Sequence, residues 1–149
     1  MATQEDIGMA ETVRDVMTPY PITVPATSTV SDAARLMLEG DVGTIIVLKP
    51  DGRLCGMVTD RDIAVRTVAR GLDPSTAKVD EICSHEDVVW VTPDTAIDQA
   101  VTDLRGHSVR RLPVVEGDRV VGIVSIGDLA MERDPGSALA DISAAVPNR

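Results

Sequence analysis

The octapeptide Gly56-Met57-Val58-Thr59-Asp60-Arg61-Asp62-Ile63 returns as Gly122-Ile123-Val124-Ser125-Ile126-Gly127-Asp128-Leu129, at an offset of 66 residues. Upstream, Val13-Arg14-Asp15-Val16-Met17-Thr18 parallels Val79-Asp80-Glu81-Ile82-Cys83-Ser84 at the same offset. Between them, residues 24–33 parallel residues 91–100 at an offset of 67. One added residue in the stretch 84–89, cancelled by the longer Lys49-Pro50-Asp51-Gly52 turn of the first copy, accounts for the change. A period held over several segments marks a chain built from two copies of one supersecondary unit.

Each copy carries the same predicted elements. A short helix (13–17; 79–83) leads to a short strand (22–24; 88–91). A longer helix follows (30–39; 97–105), with Val30, Ala33, Ala34, Met37 and Ile97, Ala100, Val101, Leu104 at i, i+3, i+4, i+7 spacing. Two strands come next (44–48 with 54–58; 112–115 with 120–124), joined by Pro50-Asp51-Gly52 and Glu116-Gly117-Asp118, which have hairpin chemistry. A second helix starts at Thr59 or Ser125. The expected class is α/β (α+β), strand-helix-strand-strand-helix twice. Expected divisions are an N-terminal segment 1–12, repeats 13–72 and 73–133, and a tail 134–149. In the tail, Leu139, Ile142 and Val146 stand at helical spacing.

Composition narrows the function. Hydrophobic residues make up 44% and charged residues 26%, as in a packed domain. With one Trp, one Tyr and no Phe, the core must be aliphatic, and an aromatic platform for single strands is excluded. Fourteen basic against 24 acidic residues give a net charge of −10, which repels phosphate backbones; no nucleic-acid partner is expected. No apolar run reaches bilayer length, residues 1–8 are unlike a signal peptide, and two cysteines make no disulfide framework. The expectation is a cytoplasmic protein with no membrane partner.

The paired heptapeptides Gly56-x-x-Thr59-x-x-Asp62 and Gly122-x-x-Ser125-x-x-Asp128, with Leu112-Pro113-Val114-Val115 before the second hairpin, resemble the CBS motif pair, or Bateman module. The resemblance covers about residues 13–132. The layout is similar to stand-alone bacterial CBS pairs, including hypoxia- and stress-response types, where a Thr-Asp-Arg-Asp-Ile run like residues 59–63 is common. It implies two motifs packed about a pseudo-twofold axis. It also implies clefts that bind AMP, ADP, ATP or a related adenosyl ligand, and a regulatory output passed to an effector protein the sequence does not name. No cofactor is required; the adenine nucleotide would be a regulatory ligand.

Thr59 and Ser125 stand where a strand turns into a helix, with Asp62 and Asp128 at N3. Ser/Thr-x-x-acid is close to a capping box, so both could be helix starts and nothing more. The same groups suit a nucleotide: a hydroxyl and amides for phosphate, and a carboxylate for a ribose diol. By the resemblance, one cleft would use Thr59, Asp62, Met57, Val88 and Val89, with Arg110 and Arg111 on phosphate oxygens. The other would use Ser125, Asp128, Ile123, Ile22 and Val42. Arg110 and Arg111 could instead be surface charges or ion-pair partners.

Catalysis is not expected: His85 and His107 have no nucleophile partner by motif, and no Gly-rich phosphate loop occurs. Cys83-x-His85 could offer two metal ligands, joined by Cys55 or His107, but the spacing from Cys55 fits no compact zinc pattern, and both cysteines read as small core residues. No metal is expected. Alternation puts Trp90 opposite Val89, as packing. The resemblance implies side-by-side association through helices, and Ala64, Val65, Val68 and Leu129 are apolar candidates for such a face or for core alone; the alternative to a ligand-binding module is a ligand-free structural or interaction dimer. The expected outcome of light scattering at micromolar concentration is a homodimer; a monomer would overturn it.

Overall fold

The computed structural model describes residues 11–84, 88–107 and 109–133. In chain order these form α1 (Val13–Val16), β1 (Thr18–Pro19), β2 (Thr23–Pro25), α2 (Val30–Gly40), β3 (Thr44–Leu48), β4 (Leu54–Thr59), α3 (Asp60–Ile63), α4 (Ile97–His107), β5 (Arg111–Glu116), β6 (Arg119–Ser125) and α5 (Ile126–Arg133). A π-helical turn, Ala64–Val68, continues α3, and a 3-10 turn covers Val79–Glu81. No described helix is long and apolar enough to cross a membrane.

The chain divides into two compact units, and the division is offset from the sequence repeat. One unit holds the described residues of 20–88 with 117–120; the other holds the described residues of 1–19, 89–116 and 121–149. In the first, β2 runs parallel to β3 and β3 antiparallel to β4. Helix α2 buries Val30, Ala33 and Met37 against this sheet. Ala34, on the far flank of the helical stripe, is exposed rather than core. The open edge of β4 is taken by Ser84, which pairs antiparallel with Met57. The segment before it supplies Ala77, Val79, Ile82 and Cys83 to the same core.

The second unit repeats this plan. β6 pairs with β5, and its open edge is taken by β1, with Thr18 opposite Ile123 and Pro19 opposite Gly122. A Cβ on Gly122 would lie 2.7 Å from Met17 Sδ and 3.0 Å from Thr18 O, so glycine is needed where the incoming strand crosses. Val13 joins Ile97, Ala100, Leu104, Leu112, Val114, Val124 and Leu129 in an aliphatic core. Leu129 is therefore core, not a contact face, whereas Val65 and Val68 are 47% and 67% exposed.

One predicted strand is absent. Residues 88–91 form no ladder; Val91 makes a single parallel bridge to Val114. In the first repeat Ile46 N–H donates to Ile22 O at 3.2 Å. The corresponding residue in the second is Pro113, which has no N–H to give Val89. Without that bond Trp90 is 49% exposed, not packed, while Val89 rests against the core. His85, Asp134-Pro135-Gly136 and the tail leucine, isoleucine and valine lie outside the described residues.

Both hairpins form as expected. Gly52 and Gly117 take φ of +87° and +65°, a region that favours glycine.

The exchange is testable. Ile82 belongs by sequence to the second repeat yet is buried in the core of the first. Ile82→Ala should cost about 2–5 kcal/mol by denaturation, as for other large-to-small core changes. Hydrogen exchange should show the loss of protection in Thr44–Leu48 and Leu54–Thr59 before Arg111–Glu116; the reverse order would refute the exchange.

Candidate functional site

The strand-to-helix junction is built the same way in each unit. Asp62 N–H donates to Thr59 Oγ1 at 3.0 Å, and Thr59 N–H donates to Asp62 Oδ2 at 2.9 Å. In the other unit Asp128 N–H donates to Ser125 Oγ at 3.1 Å and Ser125 N–H to Asp128 Oδ2 at 2.9 Å. Both are reciprocal capping boxes. Each junction is also tied to the loop before its neighbouring strand: Asp60 N–H donates to Gly43 O at 3.0 Å, and Ile126 N–H to Arg110 O at 2.8 Å.

The boxes leave two groups unspent. The hydroxyl accepts a bond, and its own proton meets no described acceptor. Each carboxylate uses Oδ2, and no described donor hydrogen-bonds Oδ1. A hydroxyl donor and a carboxylate acceptor therefore stand side by side at each half-buried junction.

The predicted residues are shared between the units. Thr59, Asp62 and Met57 come together on β4 and α3, and their unit also holds Ile22, Val42 and Val88. Ser125, Asp128 and Ile123 come together on β6 and α5, and that unit also holds Val89, Arg110 and Arg111. Each expected set thus draws on both units. Arg110 and Arg111 are exposed, and within their own unit Arg110's main chain lies at the start of α5. Arg66 was not singled out from sequence: its Nε lies 3.8 Å from Asp62 Oδ1 and its Nη1 donates to Ile82 O at 3.1 Å. The i,i+4 spacing carried half of that signal; a carbonyl partner carries none.

The sequence model of the CBS domain matches residues 13–67 and 79–134. The chain is 43% identical over 135 residues to the CBS domain-containing protein YhcV of Bacillus subtilis, covering 88% of this chain and 94% of that one. It is 38% identical over 119 residues to hypoxic response protein 1 of Mycobacterium tuberculosis, covering 80% and 82%. A crystal structure of hypoxic response protein I with two coordinated zinc ions superposes with a TM-score of 0.74 at 38% identity, over 80% of this chain and 96% of that one. The CBS domain pair of MJ0100, in complex with 5′-methylthioadenosine and S-adenosyl-L-methionine, superposes with a TM-score of 0.71 at 25% identity, over 80% and 92%.

The structure brings the two cysteines, both free thiols, to one core. A bulge in β4, where the register slips between Val47 and Leu48, falls at Cys55 and packs it against the core that holds Cys83. Among the described residues no group of three or more His, Cys, Asp or Glu side chains could hold a metal.

Burial pushes the Cys83 thiol up to about 12, and the adjoining Cys55 thiol, Asp80 and Asp62 add to the shift. The thiolate is the nucleophile, so an alkylating agent at about pH 8 should leave Cys83 unmodified in the native protein and reach it only on unfolding. The folded state keeps the Cys83 proton to about 12, whereas the unfolded chain releases it near 9.0. This contribution to stability is thus intact below pH 9.0 and lost as pH rises from there to about 12. Mass mapping of alkylated sites checks the first statement; early modification of Cys83 would contradict it.

Proposed function

Since the chain belongs to the CBS domain family, as a pair of CBS repeats, we propose that it is a regulatory module for an adenosine-containing small molecule, held at Thr59–Asp62 and Ser125–Asp128. The observation that carries the proposal is the pair of unspent groups at each junction. Oδ1 of the aspartate can accept from a ribose hydroxyl, and the Thr or Ser hydroxyl can donate to a phosphate oxygen. Half-buried Met57 and Ile123 offer apolar surface for an adenine. The MJ0100 pair, which carries two adenosyl compounds, supports the ligand class.

AMP, ADP or ATP is the ligand we favour where the site carries positive charge. Arg110 and Arg111, with Val88 and Val89, serve the Thr59–Asp62 side in this reading; Ile22 and Val42 serve the Ser125–Asp128 side. It follows the resemblance, in which the base sits against the repeat opposite the aspartate. The output is a population shift: a ligand that binds one arrangement better stabilises it, and an effector protein reads the change. A homodimer through the exposed Val65 and Val68 completes the proposal, with the protein cytoplasmic and acting in energy or stress sensing rather than catalysis.

Asparagine substitutions test the site, because Asn keeps an oxygen for the capping N–H and loses the charge. Asp62→Asn should weaken ADP binding by roughly 1.5–3 kcal/mol, the scale of one charge-assisted hydrogen bond. Asp128→Asn should weaken it less. Calorimetry reads both. A larger effect at Asp128 would move the arginine pair to the Ser125 side, and no binding of AMP, ADP, ATP or S-adenosylmethionine would remove the ligand altogether.

A further inference from the structure

Arg66 is held at two points. Its Nη1 donates to the carbonyl oxygen of Ile82, 3.1 Å away, and Ile82 is anchored in the core at 1% exposure. Its Nε stands 3.8 Å from Asp62 Oδ1. The helix that carries it widens at this point: Ala69 N–H bonds to Ala64 O, five residues back, in the π turn Ala64–Val68. The guanidinium is therefore fixed by a buried main-chain group on one side and faces the candidate ribose acceptor on the other.

The separation from Oδ1 matters. At 3.8 Å the contact is an ion pair without a hydrogen bond, so Arg66 offsets the charge of Asp62 and leaves the Oδ1 lone pairs open. The Asp62 side chain is only 14% exposed, so its charge is screened less by water than a surface carboxylate would be. An uncompensated carboxylate there would repel a phosphorylated ligand whose ribose it holds. The second repeat has no such cation in register: the residue four after Asp128 is an acid, Glu132.

We infer that Arg66 is a specificity-determining residue of the Thr59–Asp62 site, biasing it toward adenine nucleotides that carry phosphate. The inference rests on the ligand reading above and adds to it which ligand charge this site accepts. It does not depend on where Arg110 and Arg111 reach, since Arg66, Asp62 and Ile82 all lie within one unit.

Calorimetry of the full chain with ADP and with adenosine tests it, in an Asp128→Asn background that weakens the Ser125–Asp128 site. Arg66→Met keeps the length of the side chain and removes the charge. It should weaken ADP about three- to tenfold, the scale of one partly screened charge, and alter adenosine less than about twofold. Arg66→Lys should restore most of the ADP-to-adenosine ratio. A purely structural role would lower both ligands together, so an equal loss, or a Lys variant no better than Met, would overturn the inference while leaving the ligand reading intact. If the unaltered chain binds neither ADP nor adenosine this inference falls, and the ligand reading falls with it only where AMP, ATP and S-adenosylmethionine also fail to bind.

Discussion

Each sheet has an open edge, and each long helix begins with amides that have no partner inside the helix. Filling these with a segment of chain from the other repeat is the constraint on which the structure depends. Val30 N–H, the first of α2, donates to Ala77 O, and Ile97 N–H, the first of α4, donates to Glu11 O. Val79 N–H returns a bond to Ser28 O, and Val13 N–H returns one to Thr95 O. The same incoming segments insert Val79 and Val13 as fully buried side chains. Neither unit has its full core without a stretch whose sequence twin lies in the other, so each repeat lends a segment to the other's unit.

That constraint also builds the junctions. Ser84 pairs with Met57 two residues before Thr59, and Thr18 pairs with Ile123 two residues before Ser125. The loops that carry Gly43 and Arg110 close from the other side through their carbonyls. With the main chain held on both sides, the cap residues have little freedom, and the unspent hydroxyl and Oδ1 keep fixed directions. The capping geometry by itself is not diagnostic. Thr29 and Asp32 make a reciprocal box with both bonds at 3.1 Å, and Arg35 stands 3.7 Å from Asp32 Oδ1. Asp32 is half exposed, and its cation has no buried anchor comparable to Ile82 among the described residues. What separates Asp62 is burial and a clamped counter-charge, not the presence of the motif.

The capping and binding roles of the aspartates are compatible because they use different atoms. A carboxylate has two oxygens, and a hydroxyl has both lone pairs and a proton. The cap uses Oδ2 and a lone pair, and a ribose and a phosphate would use the rest. The choice between a helix start and a ligand site, which the sequence leaves open, is thus no choice at the level of atoms.

Much of the fold was legible in the residues alone. The repeat offsets, the hairpin glycines, the aliphatic stripes of α2 and α4 and the Ser/Thr-x-x-Asp boxes are local signals, written within a few residues of where they act. They determined the helix order, β2 and the two hairpins, the aliphatic core and the place of the candidate acceptors. Tertiary structure alone decided the exchange of Val13–Val16 and Val79–Glu81, because two copies with the same offset read identically whether or not they swap segments. It decided the meeting of Cys55 with Cys83, which depends on a bulge in β4 rather than on spacing. It decided the loss of the strand at 88–91, where the missing Pro113 N–H matters only once Val89 is known to lie opposite it. It also decided the anchoring of Arg66, since the carbonyl of Ile82 is a main-chain group every residue possesses, and only folding selects which one is within reach.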